Sequence, residues 1–144
     1  MKRSFMAGLA SLLVMAGTAY CHDSQSTGAT TPSKVLDACI AKAAGVDASI
    51  ADCSEAEIAR QDKLLNTAYK ELIGRSDADS KAALQKAERA WIAFRDAQCD
   101  YEYKQEGGGT LARVLFSSCR LNFTIERVKA LQGFLALERD YGKK

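Results

Sequence analysis

Asp96 and Asp100 stand one helical turn apart in "FRDAQCD", and a pair of carboxyl groups flanking a sugar linkage is the apparatus of glycoside hydrolysis. That chemistry needs a cleft between the two acids and surroundings that keep one of them protonated. Acids on successive turns of one helix are more often a solvated face. Nucleophilic chemistry lacks a base. The sole histidine, His22, lies in a polar stretch ahead of the globular part, so no Ser, Thr or Cys there has an imidazole to activate it. Metal chemistry lacks ligands, because there is no C-x-x-C and no second histidine. The expectation is a non-enzyme with no metal and no cofactor.

The cysteines point to cross-links instead. Cys39, Cys53, Cys99 and Cys119 allow three pairings. The local one, Cys39 with Cys53 and Cys99 with Cys119, joins neighbouring segments. Closing loops of this length contributes on the order of 3 kcal/mol in the chain-entropy description. Cys21 is left over.

Two charges sit where a helix would bury them. Asp62 falls between Ile58 and Leu65 on an apolar stripe, and Arg95 lies one turn after Trp91. An arginine fork on a carboxylate would satisfy both, giving a structural ion pair Asp62–Arg95, or failing that a bond from Asp62 to Arg89 or Arg127. The alternative is that each reaches water independently, with the Arg95 stem covering Trp91.

The elements that must hold these residues are helical. Residues 1–19 carry a basic start (Lys2, Arg3), an apolar run and small residues before Tyr20, the pattern of a signal peptide. The run is shorter than the ~20 apolar residues of a membrane span. Residues 20–33 form a flexible tether. The chain is expected to be exported to the periplasm or cell envelope. Cys21 offers a lipidation site, although the bulky Tyr20 beside it argues against that processing, so a lipid anchor and a soluble periplasmic form both stay open. Without Lys2 and Arg3 the 20 basic residues fall to the number of acidic ones, 18, which leaves no field for nucleic acid.

Residues 34–141 then make one domain. Lys34–Ala44 reads as a first helix with Val35, Cys39 and Ala43 on one side, stopped by Gly45. Ser54 and Glu57 form a capping-box pattern for a second helix, Glu55–Ile73, with Ile58, Leu65, Tyr69 and Leu72 inward and Gly74 as its end. A third helix from Lys81 to about Lys104 carries Leu84, Ala87, Trp91 and Phe94. "GGG" breaks it, and a fourth runs from Thr110 to about Arg139 with Leu115, Leu121, Ile125, Val128, Leu131 and Leu135 inward. No segment alternates like a strand. The fold class is all-α, a small disulfide-stapled bundle of about four helices.

The runs "DCSEAEIARQDKLLNTAYKELI", "LQKAERAWIAFRDAQCDYE" and "SSCRLNFTIERVKALQGF", with the glycine turn between the last two, resemble the lysozyme inhibitor LprI N-terminal-domain family. The likeness spans about Cys39 to Phe134. It is most specific in the run Ala87–Cys99, with Arg89, Trp91, Arg95 and Asp96 as its motif, and it also falls on Asp62, Leu65, Asn66, Tyr69, Arg127 and Leu131. The resemblance implies a small exported helical protein with paired cysteines, often lipid-anchored, that binds and blocks lysozyme. The other class that stays open is a non-catalytic structural or adaptor protein of the cell envelope.

If lysozyme is the partner, the turn Gly107, Gly108, Gly109, Thr110 is the candidate projection into its cleft. Its backbone N–H groups can approach closely, and Lys104 or Arg113 can supply charge. Tyr101 and Tyr103 would form the rim. The plainer alternative is that the glycines only turn the chain.

Overall fold

The computed structural model describes residues 32–141. The expected signal peptide, Cys21 and the expected tether up to residue 31 lie outside the described residues. Four helices follow in order: α1 (Lys34–Ala43), α2 (Asp47–Arg75), α3 (Ala78–Gln105) and α4 (Gly109–Tyr141). No strand occurs among the described residues, and no helix among them is long and apolar enough to cross a membrane.

Each boundary has a local cause. Ser33 caps α1 by accepting from the Leu36 N–H at 3.2 Å. Ala44 and Gly45, both at positive φ, end it. The second helix begins at Asp47, eight residues earlier than the capping-box pattern suggested. Ser54 is no cap: its hydroxyl donates back to the Ile50 carbonyl at 3.2 Å, inside the helix. Glu57 turns to a different helix end, accepting from the Ser33 hydroxyl at 2.5 Å. Gly74 does not stop α2. The stop is Ser76, whose N–H and hydroxyl both donate to the Leu72 carbonyl at 3.0 and 2.7 Å. Asp77 then caps α3 through the Ser80 N–H at 2.7 Å.

The long pair α2 and α4 forms the spine. α1 packs on α2, and α3 packs on α4. Two apolar clusters lie along the spine, one of Leu36, Cys53, Ile58, Leu121 and Ile125, the other of Ala68, Leu72, Leu131 and Leu135. Val128 is also buried, as expected. Leu65, Tyr69 and Leu84 edge the second cluster. Both local disulfides are present, Cys39–Cys53 and Cys99–Cys119, with Cα–Cα distances of 5.8 and 5.7 Å.

Four inward assignments fail. Val35 and Leu115 face solvent. On α3 two of the four expected residues hold and two do not. Ala87 and Phe94 are exposed, and the buried residues are Glu88, Arg95 and Cys99. The reason is the partner. α3 is held to α4 by a disulfide and by ionic and aromatic contacts, and it touches α2 hardly at all. Leu84 and Trp91 of the stripe are half-buried, Leu84 at the edge of the second cluster, while Ala87 stays exposed and Phe94 meets only the edge of Phe123 on α4.

Candidate functional site

The motif residues of α3 build a polar layer against α4. Arg95 is nearly buried and donates to Asp96, from Nη2 at 2.8 Å and from Nε at 2.9 Å. Its guanidinium lies 4.9 Å from the centre of the Trp91 ring. Arg127 of α4 approaches the same ring at 5.8 Å and pairs with Glu88, donating from Nε at 3.0 Å. Trp91 thus meets two cations, each neutralised by a carboxylate supplied by α3 itself. This corrects the expected Asp62–Arg95 pair. Among the described residues Asp62 forms no ion pair with Arg95, Arg89 or Arg127. Its backbone carbonyl accepts from Asn66 at 2.8 Å, and its side chain is half-buried. The carboxylate came from the arginine's own helix because α2 stands away from α3.

That separation leaves a groove. Leu65, Asn66 and Tyr69 of α2 face Gln85, Glu88, Arg89 and Ile92 of α3 across a cavity of about 370 Å³. Such a volume lies at the small end of ligand pockets. Sequence reasoning did not locate the groove, although Leu65, Asn66, Tyr69 and Arg89 were all among the residues carrying the resemblance.

The glycine turn sits at the opposite end of α3 from the α2–α3 joint. Gly107, Gly108 and Gly109 have φ of 71, 86 and 94°, a succession that side-chain-bearing residues rarely adopt. The Gly107 N–H bonds the Lys104 carbonyl at 3.2 Å. Several groups assigned to a partner also make contacts within the chain. Thr110 donates its hydroxyl to Asp47 at the start of α2 at 3.0 Å. Lys104 pairs with Asp100 at 2.6 Å, both groups well exposed. Tyr103 stacks edge-on against Phe116, its hydroxyl end near Gly108. Tyr101 and Arg113 are open to solvent, and Arg113 has no ion-pair partner among the described residues. The turn is therefore a braced corner whose outer groups are Tyr101, Lys104 and Arg113.

A buried carboxylate lies elsewhere. Glu57 is fully buried beside Ser33, Arg60 and Gln61. Burial pushes its carboxyl up, but the hydrogen bonds from Ser33, Gln61 and Arg60 outweigh that and hold it below the ordinary value. The group fastens the start of α1 to α2. Among the described residues no cluster of His, Cys, Asp and Glu could hold a metal ion.

Comparison with known proteins then fixes the lineage. The lysozyme inhibitor LprI family matches residues 39–131, from the first disulfide to Leu131 of the second core cluster. The chain belongs to the LprI family. An uncharacterized protein of Rhizobium meliloti (strain 1021) is 29% identical over 93 residues, covering 56% of this chain and 67% of that protein. No solved structure matches the chain. In this LprI-family chain the matched region takes in both disulfides, the Trp91 layer, the groove and the glycine turn, so the features described here belong to the family region and not to its flanks.

Proposed function

We propose that this chain is an exported, non-catalytic protein that binds lysozyme and blocks its cleft. Membership of the LprI family carries the reading. The braced turn at the α3–α4 corner is the surface assigned to it. Lysozymes work through two carboxyl groups in a cleft, one of which must hand over a proton. A blocker gains by presenting cations and N–H donors on a narrow, rigid projection, since rigidity reduces the ordering cost of binding. Lys104 and Arg113 supply the cations. The Lys104–Asp100 pair is no obstacle, because an ion pair that exposed contributes little and exchanges readily for a partner's carboxylate. Export, by the leader that the first residues resemble, would bring the protein to where lysozyme acts; a lipid anchor on Cys21 is a further element of the proposal.

The test is a turbidity assay on peptidoglycan with lysozymes of several types. The parent protein should inhibit at least one. Lys104→Glu with Arg113→Glu should weaken that inhibition by about tenfold or more, which corresponds to ~1.4 kcal/mol, with an unchanged thermal melt. Undiminished inhibition by the folded double variant would rule out the corner. No inhibition of any lysozyme by the parent would reject the function and favour an envelope adaptor.

A further inference from the structure

The outward face of α3 is the apolar one, and its pattern is regular. Ala83, Ala87, Ala90, Phe94, Ala97 and Tyr101 recur at alternating steps of four and three, the spacing of a coiled-coil seam. All six are exposed; Tyr101 shows 58% of its surface, and Phe94 keeps 56% although one edge of its ring packs on Phe123 of α4. Large exposed aromatics aligned on one helix face mark a contact surface more often than isolated apolar residues do. This face is separate from the α2–α3 groove and meets the glycine corner at Tyr101.

We infer that the seam pairs with α3 of a second copy, antiparallel, about a twofold axis near Ala93. The order of large and small residues selects that arrangement. In antiparallel register Ala83 meets Tyr101 of the second copy, Ala87 meets Ala97, and Ala90 meets Phe94. Every aromatic ring then lies over an alanine, which lets the helices approach closely. A parallel pairing would stack Phe94 on Phe94 and Tyr101 on Tyr101, with gaps between the alanines. A twofold contact of this kind is isologous, each patch being its own complement.

Charge selects the same register. Lys86 and Asp100 each precede a seam residue by one place, so they hold the same flanking position in the repeat. In an antiparallel pair such flanking positions face one another, and they commonly set orientation. Lys86 then lies beside Asp100 of the second copy, and the twofold repeats the contact. Lys86 has no ion-pair partner within the chain among the described residues, and the link of Asp100 to Lys104 is solvent-exposed. In a parallel pair neither Lys86 nor Asp100 gains a partner of opposite sign.

The self-pairing commits Tyr101 to the dimer, places Lys104 at the next step of the seam, and leaves Arg113 and the glycines of the corner outside it. It stands or falls independently of lysozyme binding. The experiment is sedimentation equilibrium of the mature protein from micromolar to near-millimolar concentration, with circular-dichroism melts as the folding control. The parent should show a reversible monomer–dimer equilibrium. Lys86→Asp and Asp100→Lys, each alone, should raise the dissociation constant by about tenfold or more, and the two together in one chain should restore it. A parent that stays monomeric at every concentration overturns the inference, as does a dimer indifferent to the single reversals or not rescued by the double one. Should the parent be monomeric while Ala87→Glu abolishes lysozyme inhibition, the face belongs to lysozyme and the self-pairing is wrong.

Discussion

Arg127 of α4 grips Glu88 of α3 with two nitrogens on one carboxylate oxygen, while its guanidinium faces Trp91. The pair is mostly buried, and it ties α3 to the spine, with Leu84 at the edge of the second cluster as the apolar contact beside it. Removing one partner of a buried pair strands the other charge, at a cost of about 3–5 kcal/mol. Arg127→Ala should fall at the lower end of that range, because some of the guanidinium still reaches water. Urea unfolding measures it; a loss below about 1 kcal/mol would mean that the layer is dispensable.

The acid limb of stability should carry the signature of Glu57. Its carboxyl titrates below the ordinary value of 4.5 in the folded protein, so the unfolded chain takes up the proton first. The stabilisation is therefore complete above the unfolded value and is lost as pH falls through the folded one. Glu57→Gln should be less stable than the parent at neutral pH, and the difference should shrink as pH is lowered from about 5 to 3. Parallel pH–stability curves for the two proteins would show that the carboxylate's charge is irrelevant.

Two glycine replacements should act in opposite directions. Gly74 lies inside α2, and a methyl group there meets nothing within 4 Å. Gly74→Ala should stabilise by up to about 1 kcal/mol, through helix propensity and a less disordered unfolded chain. Gly108 sits at φ +86°, so Gly108→Ala is strained there and should cost about 1 kcal/mol or more. Thermal melts of the two variants suffice, and equal shifts of the same sign would contradict the assigned backbone.

The Cys99–Cys119 bridge closes the loop that contains the glycine corner, with a sequence separation of 20. Replacing both cysteines by Ala should cost about 3 kcal/mol. It should also loosen the corner, which amide hydrogen exchange at Gly107–Thr110 would register as faster exchange than in the parent. Unchanged exchange there would confine the role of the bridge to the unfolded chain.

The helices and the cysteine pairing were legible because they depend on local pattern: period, turn residues and loop length. What escaped the sequence was the identity of each helix's neighbour. Ser54 and Glu57 have the spacing of a cap, yet Glu57 serves the end of α1, a preference that depends on a residue 24 positions away. Asp62 and Arg95 both lie near buried stripes, but a pair between them required α2 and α3 to touch. Since α3 instead rests on α4, its Glu88 and Asp96 answered the arginines, and two residues of the stripe read as core, Ala87 and Phe94, became surface. The groove escaped for the same reason, being a property of the space between two helices. Of the glycine corner, position and turn were legible; the internal uses of Thr110 and Tyr103 were not.

The two disulfides each close within one half of the chain, Cys39–Cys53 ahead of the Ser76–Asp77 joint and Cys99–Cys119 beyond it. No covalent bond other than the backbone crosses that joint among the described residues. A protease cut at the glycine corner, or between α1 and α2, leaves the pieces tethered by sulfur. One between α2 and α3 yields two fragments held only by non-covalent contacts, chiefly the packing of α4 on α2. The joint is therefore the single place among the three connections where one hydrolytic event can disassemble the molecule, and non-reducing electrophoresis after limited digestion would report it as two separate bands.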